Sequence, residues 1–178
     1  LVTGVQTCAL PISSTKDFAH AALASTLRTA SSDKSFNNDQ GLPTTIMNAP
    51  DDVEAMVLEM GMRGFGEISR LCAIARPHIG VVTAVTAAHT ERVGGLDGVE
   101  KAKGELVEAL PTSGTAILNG DDPRVARMAS RTSAHVVTYA MTTTSDVAMT
   151  SQSMDADGAV TMSVTTPWGD VTVRVPAA

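Results

Sequence analysis

The feature that most constrains this chain is an alternation, between residues 53 and 139, of short apolar runs with longer stretches of helical periodicity. Val53-Glu54-Ala55-Met56-Val57-Leu58-Glu59 reads as a buried strand, Gly64 to Ala75 as a helix stopped before Pro77, and Ile79 to Val85 as a second apolar strand. Asp97 to Leu110 reads as a helix, Thr115 to Leu118 as a third strand, and Val136 to Tyr139 as a fourth. Pro123 opens another helix, because proline suits a first helical position, where an N–H would have no partner. Strands separated by helices require long crossovers, and such crossovers join parallel strands with a right-handed sense. The expected class is therefore α/β, a mainly parallel sheet flanked by helices. Upstream, Asp17 to Thr29 is Ala-rich with helical spacing, and residues 31 to 43, rich in Ser, Asn, Asp, Gly and Pro, read as a loop. After Ser145 the period becomes two. Residues 146–153, 159–166 and 171–175 alternate apolar with polar and are separated by Asp157-Gly158 and Trp168-Gly169, which predicts an antiparallel β meander.

The 178 residues suffice for one domain with a real core, and 43% hydrophobic against 18% charged residues exclude a disordered chain. Aromatic residues are only 3%, so Val, Ala, Leu, Ile and Met must fill the interior. A net charge of -6 argues against a broad nucleic-acid surface, which needs clustered Lys and Arg, though not against a local anion pocket. No apolar run reaches membrane-spanning length, so no membrane partner is expected. Cys8 and Cys72 make no disulfide framework, and a reduced, cytoplasmic compartment is the expectation.

Residues 2 to 12, Val-Thr-Gly-Val-Gln-Thr-Cys-Ala-Leu-Pro-Ile, resemble the conceptual translation of a short-read sequencing adapter over eleven consecutive positions. Residues 1–12 are accordingly expected to be non-native, with the natural sequence running from 13 to 178 as part of a longer protein. The alternative for this segment is a natural strand and turn.

In open α/β sheets ligands sit at the carboxyl ends of the strands. Glu59 falls at such an end, just before Gly61. His89 follows the second strand, Lys103 lies on the next helix, and Asn119, Asp121 and Asp122 follow the third strand. One edge thus gathers a carboxylate, an imidazole, a lysine and an acidic loop. Each also has an ordinary structural reading. A strand-end Glu can be solvated, a lone His structural, and Lys103, beside Lys101 and Glu105, part of an exposed helix face. Asp121-Asp122-Pro123 reads equally well as a helix cap. Their shared placement is what favours a site.

Six strings carry a family resemblance. Ser14-Thr15-Lys16-Asp17 resembles the tail of a phosphate loop that continues Gly-Lys-Thr. Ser35-Phe36-Asn37-Asn38-Asp39-Gln40-Gly41-Leu42-Pro43, Leu58-Glu59-Met60-Gly61, Ala87-Ala88-His89, Lys101-Ala102-Lys103-Gly104-Glu105 and Leu118-Asn119-Gly120-Asp121-Asp122-Pro123 follow in order. Together they resemble the ATP-binding central domain of the Mur ligase family, and the Asn-Asn and Lys-Ala-Lys-Gly-Glu strings are similar to its D-alanyl-D-alanine-adding member.

The resemblance implies an ATP- and Mg2+-dependent ligase of peptidoglycan precursor synthesis. ATP would phosphorylate the carboxylate of UDP-N-acetylmuramoyl-tripeptide, and the amine of D-alanyl-D-alanine would attack the acyl phosphate. Carried over residue by residue, Glu59, His89 and Lys103 would hold magnesium, Lys103 as a carbamate, with Lys103 and His89 serving catalysis. Ser13, Ser14, Thr15, Asn119 and Asp121 would serve the nucleotide, and Asn37 and Asn38 the substrate or the order of their loop. One departure matters most. The family's Gly, Lys and Thr positions hold Pro11, Ile12 and Ser13, so neither the charge nor the turn of a phosphate loop is present. The chain alone is therefore expected to be inactive. The rival readings are another Mur ligase, a folylpolyglutamate synthase, or a noncatalytic nucleotide-binding domain.

Overall fold

The structure is a computed structural model that describes residues 2–6, 12–33, 36–87, 90–142 and 144–176. Its strands are β1 (Val2–Gln6), β2 (Thr29–Ser31), β3 (Ala55–Glu59), β4 (Ile79–Val82), β5 (Thr115–Asn119), β6 (His135–Ala140), β7 (Val147–Met154), β8 (Val160–Thr166) and β9 (Gly169–Val175). The helices are α1 (Ile12–Ala24), α2 (Gly41–Met47), α3 (Glu67–Ala75), α4 (Thr90–Val93), α5 (Leu96–Glu108) and α6 (Pro123–Ala126), the last continuing into a 3-10 turn over Arg127–Arg131. All nine strands form one sheet in the order β2-β3-β1-β4-β5-β6-β7-β8-β9. Pairing is parallel from β2 through β7 and antiparallel from β7 to β9. The α/β class and the closing meander are as the sequence predicts. The meander is not a separate sheet, because β7 pairs parallel with β6 and prolongs the main one.

Every residue of β3 is buried, as expected of a strand with helices on both faces. α1 packs on β2 and β3, while α3 and α5 pack on each other and on β1. The inward stripe of α5 is Val99, Ala102, Lys103, Leu106 and Val107, the spacing a helix of 3.6 residues per turn demands.

Two local readings are corrected. The first helix starts at Ile12 rather than Asp17 and ends at Ala24, so Thr29 belongs to the short strand β2. Residues 31 to 43 are not all loop, since they include the end of β2 and the start of α2. There Asn38 Oδ1 accepts from the N–H groups of Gln40 and Gly41, at 3.1 and 2.8 Å, and so starts a helix inside a turn-rich composition. Val2–Gln6 lies mid-sheet, with Val5 in register with Glu59 on one side and Val81 on the other. An extended segment there satisfies the facing backbone groups of β3 and β4 whatever its origin.

Candidate functional site at the carboxyl edge of the sheet

β1 is flanked by β3 on one side and β4 on the other, and the order of the strands changes direction around it. A crevice outside the carboxyl ends of the strands is the usual ligand position at such a switch point. The ends of β3 and β4 stand two strand spacings apart there, about 10 Å.

On the β3 side, Glu59 is only 3% exposed. Its Oε1 accepts a 2.7 Å hydrogen bond from Asn37 Nδ2, and its buried Oε2 has no hydrogen-bond partner among the described residues. Burial raises its pKa above the ordinary 4.5; the Asn37 hydrogen bond and the charge of Lys16 pull it down, and Asp17 adds a smaller upward push. Asn37 is locked in place twice. Its carbonyl accepts from Gly61 N–H at 2.7 Å, and its side chain lies where a Cβ on residue 61 would stand 2.9 Å from Asn37 Cγ. Gly61 therefore admits the amide that holds the carboxylate.

Lys16 is the residue that sequence reasoning passed over. It is 4% exposed, donates from Nζ to the Ser32 carbonyl at 2.6 Å and pairs with Asp17 at 3.2 Å. Ser32 in turn accepts the Glu59 N–H on its Oγ at 3.2 Å. The helix after β1, the end of β2 and the end of β3 are thus fastened together by a lysine. The available signal is helical spacing: Lys16, Ala19, His20 and Leu23 follow the inward stripe of a helix whose opposite face is exposed.

On the β4 side, the Lys-Ala-Lys-Gly-Glu string resolves into separate tasks. Lys101 Nζ stands 5.5 Å over the Phe65 ring. Ala102 is buried. Lys103 is not on an exposed face: it is 1% exposed, with Nζ donating to the Ala84 carbonyl just beyond β4. Gly104 leaves room for Arg131, whose Nη1 would lie 1.8 Å from a Cβ there. Glu105 receives the Gly66 and Ser69 N–H groups at 2.7 and 3.0 Å, capping α3 from a neighbouring helix.

Beyond β5, Asn119 donates to the Thr83 carbonyl at 2.8 Å and accepts from Asp121 N–H at 2.9 Å, which ties the ends of β4 and β5. The two aspartates divide the work the sequence left undivided. Asp122 is the cap, accepting from Arg124 and Val125 N–H at 2.9 and 3.3 Å and from Val85 N–H at 2.7 Å. Asp121 instead receives Met141 N–H at 2.6 Å and Thr142 Oγ1 at 2.6 Å, fixing the segment after β6.

Ser13, Ser14 and Thr15 lie in the first turn of α1, just past the β1 edge. Pro11 and His89 lie outside the described residues. Glu59, Asn37, Lys16, Lys103, Asn119 and Asp121 therefore share one edge, whereas Asn38 is occupied with its own turn. Among the described residues no group of three or more His, Cys, Asp or Glu is arranged to hold a metal ion, and no helix is long and apolar enough to cross a membrane.

Comparison with known proteins places this edge in a family. The UDP-N-acetylmuramoyl-tripeptide–D-alanyl-D-alanine ligase of Mycobacterium tuberculosis (H37Rv) is 42% identical over 134 residues, which is 75% of this chain and 26% of that protein. The chain thus spans about a quarter of the length of that relative. The crystal structure of MurF from Acinetobacter baumannii superposes with a TM-score of 0.90 at 25% identity, covering 99% of this chain and 38% of that one. MurF from Thermotoga maritima, solved in complex with ADP, superposes with a TM-score of 0.87 at 23% identity, over 99% of this chain and 40% of that one. The profile of the Mur ligase middle domain matches residues 12–178, and the chain belongs to the Mur ligase family.

Proposed function

We propose that this chain forms the ATP-binding middle part of a cytoplasmic ligase that joins D-alanyl-D-alanine to UDP-N-acetylmuramoyl-tripeptide through an acyl phosphate. The observation that carries the reading is Glu59, a buried carboxylate at the switch-point edge with one oxygen held by Asn37 and the other without a hydrogen-bond partner among the described residues. Burying such an oxygen costs about 1–3 kcal/mol unless something binds it. A hard divalent cation matches that oxygen in charge and in donor type. Mg2+ takes one or two carboxylates and completes its shell with water and phosphate oxygens, so a large acidic cluster is not required. When bound there it would neutralise the phosphate oxygens against which a second anion, the substrate carboxylate, must approach.

The chain's own residues supply the rest. Asn37 orients the Glu59 carboxylate, and Lys16 balances its charge. Lys103 presents its nitrogen beside Ala84; a carbamate formed on it would keep an N–H for that carbonyl and add two oxygens toward the site. His89, by the family resemblance, would complete the metal set. Asn119 and Asp121 hold the loops after β4, β5 and β6 that would border the nucleotide. Ser13, Ser14 and Thr15, at the start of α1, would lie next to its phosphates.

We further infer that residues 1–12 are a non-native segment ahead of a partial middle domain over 13–178. The start of the family match at residue 12 supports this. With Pro11, Ile12 and Ser13 in the phosphate-loop positions, the chain should bind Mg-ATP poorly. Isothermal titration should find affinity weaker than micromolar, and Pro11→Gly/Ile12→Lys/Ser13→Thr should strengthen it.

The function is tested in a chimera. Residues 14–178 replace the matching segment of the M. tuberculosis relative, which retains its own phosphate loop and remaining domains. Phosphate release should require both the UDP-linked tripeptide and D-alanyl-D-alanine, and Glu59→Ala should abolish it without unfolding the protein. A folded, ATP-binding chimera that responds to glutamate rather than the dipeptide would assign the chain to the folylpolyglutamate synthases. One that never turns over would favour the noncatalytic reading.

A further inference from the structure

β2 and β3 pair in parallel, with Ser31 in register with Val57. Their ladder follows one rule. Ala55 N–H donates to the Arg28 carbonyl at 3.3 Å, and Ser32 N–H donates to the Val57 carbonyl at 3.1 Å. Bonds between parallel strands are evenly spaced, so the next rung would run from Glu59 N–H to the Ser32 carbonyl. The donor and the acceptor of that rung are both diverted. Glu59 N–H donates to Ser32 Oγ at 3.2 Å, and the Ser32 carbonyl accepts from Lys16 Nζ at 2.6 Å. One step further along β3, Gly61 N–H donates to the Asn37 carbonyl at 2.7 Å, and Asn37 Nδ2 donates to Glu59 Oε1 at 2.7 Å. The chain thus leaves the ladder at Ser32 and returns to it at Asn37, and Glu59 stands between the two.

Lys16 is a costly residue for this place. It is 4% exposed and Ser32 is 1% exposed, so the ammonium has left water for one carbonyl and the Asp17 carboxylate at 3.2 Å. A buried ion pair is often no more stable than apolar side chains of the same volume. Methionine would cover β2 and β3 with a side chain of similar length and no charge to desolvate. It could not occupy the Ser32 carbonyl. That acceptor would then be open to Glu59 N–H, and forming the diverted rung would draw the β3 backbone at Glu59 toward β2 and its carboxylate away from Asn37.

We propose that Lys16 is a positioning residue for the Glu59 carboxylate: by occupying the Ser32 carbonyl it withholds one rung of the sheet, and so holds the carboxylate at the switch-point edge. The role in the reaction rests on the reading of Glu59 as the group that binds the cation.

Isotope-labelled Lys16→Met and Ser32→Ala forms of the 178-residue chain test this beside the parent by nuclear magnetic resonance. A scalar coupling crosses a hydrogen bond from an amide nitrogen to a carbonyl carbon, and a hydroxyl acceptor gives none. No coupling should join the Glu59 nitrogen to the Ser32 carbonyl carbon in the parent, and one should appear in Lys16→Met. Ser32→Ala removes the hydroxyl while Lys16 still holds the carbonyl, so hydrogen exchange at the Glu59 amide should quicken by about tenfold. In the M. tuberculosis chimera, Lys16→Met should raise the Mg2+ concentration for half-maximal phosphate release by about tenfold to a hundredfold, with KM for D-alanyl-D-alanine unchanged. A packing role alone would lower the yield of folded protein and leave the Mg2+ requirement where it was. A coupling already present in the parent, none in a folded Lys16→Met chain, or an unchanged Mg2+ requirement would overturn the proposal. Should Lys16→Met fail to fold, unaltered Glu59 exchange in Ser32→Ala would overturn it equally. A parent chimera that never turns over would count against the ligase reading instead, while the spectra of the chain still decide for or against Lys16.

Discussion

Replacing Glu59 by Gln should stabilise the metal-free chain at neutral pH, although Glu59 makes a good hydrogen bond. The carboxylate is 3% exposed, and Asn37 satisfies only one of its oxygens. Its pKa is raised, chiefly by burial, so the folded chain holds this proton more tightly than the unfolded chain does. Ionisation therefore works against folding. Below the ordinary value of 4.5 both states carry the proton and there is no penalty; as pH rises through the raised folded value the penalty develops and then stays constant. Each unit of elevation corresponds to about 1.4 kcal/mol. Glutamine keeps the acceptor for Asn37 and removes the charge, but its new amide nitrogen inherits part of the unsatisfied position. The net gain at neutral pH should be about 1 kcal/mol. Urea unfolding with a chelator present, at neutral pH and again below 4.5, measures it as a shift in midpoint at constant slope. The advantage should disappear at acid pH. A variant less stable at neutral pH, or one whose difference is the same at both, would refute the assignment of Glu59 as a carboxylate held at a cost for a cation.

Other consequences follow from single side chains. Asp122→Ala removes the α6 cap and the acceptor for Val85 N–H, and urea unfolding should show a loss of about 3 kcal/mol. Cys72 is buried 3.7 Å from Met60 Sδ, with its thiol pushed up to about 12 by burial and, to a lesser extent, by Glu105; site-resolved mass spectrometry should find it unalkylated in the native chain and modified only on unfolding. Tyr139, the only tyrosine, is raised to about 12 by burial and by Asp121 and Asp122, so its ultraviolet titration should lie near that value when folded and near 10 in denaturant. Because its ionisation favours the unfolded chain, this contribution to stability is lost as pH rises through that interval.

The parts of the fold legible in the sequence are those set by periodicity. β3, β4, β5 and β6, with α3 and α5 between them, follow from apolar runs and helical stripes, because burial on one or both faces forces those patterns. β2 and α2 were not legible. Thr29–Ser31 is too short to display a period, and α2 begins where the Asn38 side chain captures two N–H groups within a composition that otherwise signals loop. At the site, residue types and positions could be read but not their division of labour. Pro123 at the first helical position marks Asp122 as the cap of α6, but the long-range task of each aspartate depends on which N–H lies opposite, that of Val85 or that of Met141. Lys103 shows the reverse. The charged residues around it, Lys101 and Glu105, suggest a surface face, yet its angular position between Val99 and Leu106 places it on the buried stripe, and a helical wheel distinguishes it from Lys101 where composition does not.

The same contrast runs through the start of the chain. A slot between two parallel strands needs an extended backbone whose N–H and C=O groups meet those of β3 and β4, and Val2–Gln6 meets it in register with both. That requirement is weakly selective, because the ladder is made of main-chain groups and β-branched residues such as Val and Thr suit it generally. Gripping a phosphate is strongly selective. It needs several N–H groups converging from a turn that glycine permits, plus a lysine to match the charge. Pro11 offers no N–H and Ile12 no charge. A segment can therefore complete the sheet and leave the site incomplete. In this chain the strand beside Glu59 meets a backbone rule, whereas the nucleotide binding proposed above would depend on side chains that its following residues do not carry.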